Sequence, residues 1–114
     1  YERPRSRFVA DFVGSSNLLP PEFAMAHGGT KAWTSLRPEK IKVVAPGEPV
    51  HGNHHTVSGH IISIQYQGAV TRISTDVEGI RIAAVVPALK DTFKEGDPVR
   101  LGWETHNLVA MDAA

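Results

Sequence analysis

An alternating apolar pattern, which runs from Ser58 to Val86 and fills about a quarter of the 114 residues, constrains the fold more than any other feature. Apolar residues recur at every second position for most of this stretch, and Gly68 and Gly79 lie at its two interruptions. A period of two predicts half-buried strands, and short glycine-containing breaks predict tight turns between antiparallel neighbours. The three strands expected in this antiparallel meander are residues 60–66, 71–77 and 80–86.

Shorter strands are predicted on both sides of the meander. Residues 32–37 alternate in the same way, and Pro38 ends that strand because proline has no backbone N–H to donate. Downstream, the Gly96-Asp97 turn precedes a further strand, and a last strand is expected at residues 108–111. Five or six short strands predict an all-β fold, either a small barrel or a curled antiparallel sheet.

The N-terminal segment is predicted to contain a short helix at residues 6–13, followed by a connector. Phe8 and Phe12 share one helical stripe, which needs a packing partner because so short a helix is marginal in water. Residues 14–31 contain paired prolines and paired glycines and predict at most one brief element. The chain is therefore divided into a lead-in segment, residues 1–30, and a β domain, residues 31–114.

Several kinds of chemistry have no motif in this sequence. No phosphate-binding loop of the form G-x-x-x-x-G-K-[ST] occurs, and the carboxylates lie at turns, so neither nucleotide hydrolysis nor a catalytic residue is expected. The absence of cysteine excludes disulfides and thiolate metal sites and fits a reducing compartment such as the cytoplasm. No stretch approaches the roughly 20 apolar residues of a membrane-spanning helix.

Four aromatic side chains are spread over separate segments: Trp33, Tyr66, Phe93 and Trp103. Base stacking needs aromatic and basic side chains along one groove, and no Lys or Arg cluster accompanies these residues. Twelve Lys and Arg residues balance twelve Asp and Glu residues, which leaves no field that would gather nucleic acid. We expect the aromatics to pack in the core, with the Tyr66 hydroxyl hydrogen-bonded at the barrel edge, and no nucleic-acid partner.

Four histidines lie close together in the sequence: His51, His54, His55 and His60. Imidazoles brought together by a loop and the strand after it can bind zinc or nickel. The loop is rich in glycine and proline, however, and has no carboxylate at a fixed spacing to orient the rings. We interpret these histidines as part of a solvated loop and retain them only as weak candidates for metal ligands.

Three motifs, in this order along the chain, resemble one known family. They are R-P-E at residues 37–39, a glycine and tyrosine pattern at residues 59–68, and G-D-x-V-x-L-x-W at residues 96–103. This combination resembles the transport-associated OB (TOBE) domain at the C-terminus of ATP-binding subunits of ABC importers, and within that family the polyamine (spermidine/putrescine) importers. The matching positions are Arg37, Pro38, Glu39, Gly59, Tyr66, Gly68, Gly96, Asp97 and Trp103.

The resemblance implies a non-catalytic, OB-like domain that regulates and dimerises the ATP-binding subunit of a solute importer. Residues 1–19 resemble the joint that leaves the nucleotide-binding domain, so ATP and Mg²⁺ are expected in that missing domain and no cofactor in this chain. The implied partners are a second copy, the nucleotide-binding domain and the membrane permease subunits, at the cytoplasmic face of the membrane. Phe8 and Phe12 are candidates for the interface.

The sequence departs from the family pattern in the segment before R-P-E. Family members carry several more strands there, whereas this chain has only about a dozen residues, which predicts an incompletely covered barrel edge.

A small-ligand module is the alternative hypothesis, because related domains bind molybdate-like anions at subunit boundaries. The positive strand residues available to such a site are Arg72, Arg81 and Arg100. Within R-P-E itself, we expect Arg37 and Glu39 to form planar, charge-assisted contacts with backbone or side chains that fix the turn.

Overall fold

The structure is a computed structural model that describes residues 16–50, 52, 54–88 and 93–111. The helix predicted at residues 6–13, and with it Phe8 and Phe12, lies outside the described residues. Within the described part, eight strands form two antiparallel sheets that share one apolar core. The all-β class and the antiparallel arrangement predicted from the sequence are therefore confirmed.

The strands divide into a three-stranded and a five-stranded sheet. The first contains β1 (Asn17–Leu19), β2 (Thr34–Leu36) and β8 (Val109–Ala110), in the order β1-β2-β8. The second contains β3 (Lys42–Val44), β4 (His54–Gln67), β5 (Val70–Val77), β6 (Ile80–Pro87) and β7 (Pro98–Glu104), in the order β3-β7-β4-β5-β6. The described helical elements are α1 (Pro21–Ala26) and two 3-10 turns, Pro38–Lys40 and Thr105–Asn107. None of these helices has the length or apolar character that crossing a membrane requires.

The predicted meander consists of β4, β5 and β6, joined by two-residue turns. Gly68, with φ of 72°, begins the first turn, whereas Glu78 and Gly79 form the second with φ of 55° and 83°. Positive φ at both central residues is the pattern of a type I′ turn, whose twist suits a β-hairpin. Glycine adopts this conformation freely, but Glu78 adopts it under strain.

Strand β4 is longer than predicted and pairs with two neighbours. It begins at His54 rather than near His60, because its first half pairs with β7. Its second half pairs with β5, and the register shifts between Ile61 and Ser63. Such a bulge bends a strand and increases its twist, so β4 passes from one neighbour to the other and curls the sheet.

The apolar core includes side chains of both sheets and of α1. Trp103, Leu101 and Ile73 of the larger sheet are buried beside Leu19 of β1 and Phe23 of α1. The segment predicted as a connector therefore supplies a strand and a helix to the core, which is more structure than its prolines and glycines indicated. The division of the chain at residue 30 stays a prediction.

Aromatic burial differs from the prediction at two positions. Trp103 is fully buried, as expected, and Phe93 packs partly buried against the core. Tyr66 is 67% exposed and Trp33 is 44% exposed, so the prediction that they pack in the core was wrong. Tyr66 stands next to the tip of the β4–β5 hairpin, beyond the core, and its expected hydroxyl bond is not among the hydrogen bonds of the described residues.

The side chain of Asn17 joins the two sheets. Its Nδ2 donates to the carbonyl of Leu36 at 3.1 Å and to that of Ala83 at 2.8 Å. Its Oδ1 accepts from the N–H of Ala83 at 2.8 Å. The amide group thereby acts as a strand partner for β6, the last strand of the larger sheet, and satisfies backbone groups at an edge that would otherwise be open.

Candidate functional site

Gly59 marks a close approach between β4 and the end of β5. An added Cβ would lie 2.6 Å from the backbone oxygen of Asp76 and 2.7 Å from Cγ2 of Val77. A backbone oxygen cannot swing aside as the end of a flexible side chain can, so glycine is required at this position. Gly59 precedes the bulge at Ile61, and the close contact therefore supports the bend in β4.

The Gly96-Asp97 turn supports the same bend from the other side. The N–H of Gly96 donates to the carbonyl of Ile61 at 2.8 Å, and the N–H of Ile61 donates to the carbonyl of Asp97 at 2.9 Å. The Asp97 carboxylate also accepts from the N–H of Lys94 at 2.9 Å, which closes the turn. Two motifs that are far apart in the sequence thus meet at one bulge.

The R-P-E motif fixes the exit from β2 through its proline. Pro38 is buried and begins the 3-10 turn, whose last N–H bond runs from Ile41 to the Pro38 carbonyl at 3.2 Å. Arg37 Nη1 lies 3.8 Å from Glu39 Oε2, and both side chains are mostly exposed. That distance is too long for a hydrogen bond, so the two side chains do not form a planar hydrogen-bonded pair with each other. An exposed contact of this kind adds little stability.

The candidate metal-ligating histidines are dispersed by the fold. His54 and His55 lie in β4 and not in a loop, as neighbours whose side chains leave opposite faces of the strand. His60 lies six residues beyond His54 in the same strand, roughly 20 Å from it. His51 lies outside the described residues. Among the residues that the structure describes, no group of three or more His, Cys, Asp or Glu is placed to hold a metal ion.

A polar cluster that no sequence pattern signalled joins His27, His55 and Glu78. His27 Nδ1 lies 3.0 Å from His55 Nε2, and His27 Nε2 lies 3.1 Å from Glu78 Oε2. The cluster connects the end of α1, strand β4 and the strained β5–β6 turn. Both histidine rings of the cluster also contact core aromatics. His27 packs on Phe23 with ring centroids 4.3 Å apart, and His55 packs on Trp103 with ring centroids 5.9 Å apart.

The hydrogens of this cluster follow from the chemistry of its acceptor. An ionised Glu78 only accepts hydrogen bonds, so Nε2 of His27 must carry a hydrogen. In neutral His27, Nδ1 then accepts from His55 Nε2–H, whereas in protonated His27 the direction reverses and Nδ1–H donates. If both rings were protonated, both would donate and their bond would be lost.

Neither His27 nor Glu78 was a sequence candidate. His27 is 28 residues from His55 and 51 from Glu78, so no local pattern relates them. The one local signal was an acidic residue in a turn that glycine or asparagine would favour. The bond between the Glu78 carboxylate and His27 explains why glutamate occupies this turn position.

Acid is expected to destabilise the protein through His55. Burial lowers the pKa of His55, and the positive charge on protonated His27 lowers it further. The unfolded chain binds a proton at His55 near the ordinary pKa of about 6.5, so the free energy of unfolding should fall as the pH drops through and below that value. In His55→Gln this fall should be smaller, as measured by urea unfolding between pH 8 and about pH 5.

His60→Gln provides the matched control, because His60 is exposed in the same strand. Its pH dependence should follow that of the unaltered protein. Equal slopes of stability against pH for His55→Gln and the unaltered protein would contradict the role assigned to His55.

The bent strand shared by two ladders, together with two small antiparallel sheets around one core, defines an OB-like β domain. The solved structure of the cytoplasmic molybdate-binding protein ModG superposes with a TM-score of 0.58 at 11% identity, over 68% of this chain and 58% of that one. At this identity the likeness concerns the fold alone. The TOBE domain family matches residues 34–111, and the chain belongs to that family.

Curated relatives place the family match in longer proteins. The uncharacterized ABC transporter ATP-binding protein YdcT of Escherichia coli (strain K12) is 34% identical over 97% of this chain and 33% of its own length. The spermidine/putrescine import ATP-binding protein PotA of Chromobacterium violaceum is 28% identical over 90% of this chain and 36% of its own length. The PotA protein of Bacillus thuringiensis is 25% identical over 98% of this chain and 32% of its own length. The chain spans about a third of the length of these relatives.

Proposed function

We propose that this chain is the regulatory and dimerisation domain of the ATP-binding subunit of an ABC importer of the polyamine type. The family match over residues 34–111 carries the proposal, and the two PotA relatives supply the polyamine class. In this proposal the domain is non-catalytic, and ATP and Mg²⁺ bind to a nucleotide-binding domain of the same subunit. Permease subunits hold the assembly at the cytoplasmic face of the membrane.

The geometry is suited to a rigid body that presents surfaces. Gly59 and the Gly96-Asp97 turn brace the bend of β4, and Pro38 fixes the entry to the larger sheet, so the motif residues serve the shape of the domain. A domain of fixed shape can transmit the relative position of two ATP-binding subunits without chemistry of its own.

A strand edge that no other strand of the described residues covers supports pairing between two copies. Strand β8 ends the three-stranded sheet, and Val109 in it is 58% exposed. Trp33, whose carbonyl accepts from the N–H of Met111 at 2.8 Å, adds a second exposed apolar side chain beside that edge. Unpaired edges with apolar side chains favour association, and a two-fold contact covers both copies at once. Phe8 and Phe12 are proposed as a further part of this contact.

The transport proposal is tested with the complete coding sequence and its neighbouring transporter genes in a bacterial strain that lacks polyamine import. Uptake of radiolabelled spermidine is expected, and removal of residues 34–111 should reduce it. Import of another solute with no uptake of spermidine or putrescine would contradict the polyamine class. A complete coding sequence without a phosphate-binding loop would contradict the ATP-binding subunit.

Pairing is tested on the purified chain by light scattering coupled to size exclusion at tens of micromolar. The expected mass is about twice the 12.4 kDa of one chain. The double variant Phe8→Asp/Phe12→Asp should lower that mass toward one chain. A mass of one chain at every concentration would rule out dimerisation by this domain alone.

A further inference from the structure

We propose that the facing ring nitrogens of His27 and His55 bind a divalent transition-metal ion of the nickel and copper class. His27 directly follows α1 and His55 lies in β4, and the fold places Nδ1 of His27 3.0 Å from Nε2 of His55. Imidazole nitrogen is a ligand that both ions accept readily. This inference goes beyond the proposed function and does not depend on the transported solute.

The separation of the two nitrogens fits neighbouring positions around one ion. With metal–nitrogen bonds of about 2.0–2.1 Å, two ligands at a right angle lie roughly 2.8–3.0 Å apart, whereas two tetrahedral ligands lie roughly 3.3–3.4 Å apart. The observed 3.0 Å agrees with the right angle. Square-planar and tetragonal sites, which nickel and copper ions prefer with nitrogen and oxygen ligands, contain such right angles. The distance therefore favours these ions over tetrahedral zinc.

The carboxylate of Glu78 determines which nitrogen of His27 is free to bind a metal. Glu78 Oε2 lies 3.1 Å from His27 Nε2, so Nε2 carries the hydrogen and Nδ1 keeps its lone pair. Metal-ligating histidines commonly donate their other ring N–H to a carboxylate, which fixes the orientation of the ring and makes the ligand more basic. Glu78 lies on the far side of the His27 ring, so it orients the ligand and does not bind the ion itself.

Packing holds both rings in place before an ion arrives. The His27 side chain is 14% exposed and packs on Phe23, and His55 packs on the fully buried Trp103. A site whose ligands are fixed beforehand loses less entropy on binding. Glu78 holds its carboxylate toward His27 from a turn position with φ of 55°, a strained conformation of the kind found at ligand sites.

Binding replaces the hydrogen bond between the two rings. In the neutral cluster, Nε2–H of His55 donates to Nδ1 of His27. For His55 to bind through Nε2, its hydrogen moves to Nδ1 of the same ring, so the net charge of the ring does not change. The ion lies beside the line that joins the two nitrogens, and small rotations of the rings turn both lone pairs toward it.

The other coordination positions are occupied by water in this proposal. In the part of the chain that the structure describes, no group of three or more His, Cys, Asp or Glu is placed to hold an ion, so the site has two protein ligands. The Glu78 side chain is 60% exposed, which puts solvent at the edge of the cluster. We therefore expect affinity in the micromolar range, weaker than that of a structural site with four protein ligands.

The test is isothermal titration calorimetry of the purified, metal-stripped chain without a histidine tag, with nickel chloride at pH 7.5. Saturable binding of one ion per chain is expected. His27→Gln and His55→Gln should each weaken it at least tenfold, and Glu78→Gln should weaken it about tenfold through the lost orientation of His27. His60→Gln is the matched control, since His60 is an exposed histidine of the same strand, and it should bind nickel as the unaltered protein does.

The ligands are identified directly by electron paramagnetic resonance of the chain with one equivalent of copper chloride. Splitting from two ring nitrogens is expected in the unaltered protein, and from one in His27→Gln and His55→Gln. Absence of nickel binding, or equal affinity in those two variants and the unaltered protein, would overturn the site and, in the second case, assign binding to other histidines. Circular dichroism verifies that each variant is folded. Spermidine uptake by the complete transporter is a separate measurement, so failure of either proposal leaves the other intact.

Discussion

Replacing Trp103 by alanine is expected to lower the free energy of unfolding by about 3–5 kcal/mol. Trp103 is fully buried in β7 and packs on His55, so truncation leaves a large cavity that the surrounding strands cannot fill. Its indole nitrogen has no hydrogen-bond partner among the described residues, so the loss is one of packing and not of a hydrogen bond. Urea unfolding followed by circular dichroism gives the value.

Trp33 provides the matched control for this prediction. It is the other tryptophan of the chain and is 44% exposed, so Trp33→Ala should cost less than about 1 kcal/mol. If Trp103→Ala costs no more than Trp33→Ala, the buried position assigned to Trp103 is wrong.

The second large effect is expected at Gly59. Gly59→Ala should destabilise the protein by roughly 1–3 kcal/mol, since the new Cβ would lie 2.6 Å from the backbone oxygen of Asp76 and the strands must separate to admit it. This cost has to exceed the gain of about 0.4–1 kcal/mol that alanine brings by restricting the unfolded chain. Thermal and urea unfolding of the same variant give the net change.

Gly47→Ala is the control for the chain-entropy part of this effect. A Cβ at Gly47 meets nothing within 4 Å, so only the gain in the unfolded state should appear, with stability unchanged or raised by up to about 1 kcal/mol. A neutral or stabilising Gly59→Ala would show that β4 and β5 are further apart at this point than the structure places them.

Strands β4 to β7 of the larger sheet were predictable because they are long enough to show a period. Thr71, Ile73 and Thr75 are buried at every second position of β5, and the Glu78-Gly79 turn carried its own signal. The smaller sheet was not fully predictable. Its strands have two or three residues, too few to establish a period, and nothing local indicates that Thr34 pairs with both Leu19 and Ala110.

The groups that carry chemistry were less predictable than the fold. Histidines that are close along the chain suggested a group, but an extended strand places His54 and His55 on opposite faces and His60 far from both. The pair that does form, His27 with His55, depends on how α1 packs against β4. Arg72, Arg81 and Arg100 were candidates for an anion site because they lie in predicted strands, and the fold engages Arg100 with the carbonyl of Glu48 and Oγ1 of Thr56.

The two ladders of β4 differ in the chain entropy that their formation costs. Pairing with β5 closes a turn of two residues, whereas the nearest pair with β7, His60 with Pro98, encloses about 37 residues of unfolded chain. Loop-closure entropy grows with the logarithm of loop length, which makes the second contact about 2–3 kcal/mol more costly from the unfolded state. Once the meander exists, only the span between Pro87 and Pro98 is left to close. The second half of β4 can thus pair with β5 through local sequence, whereas the first half, which pairs with β7, depends on that pairing.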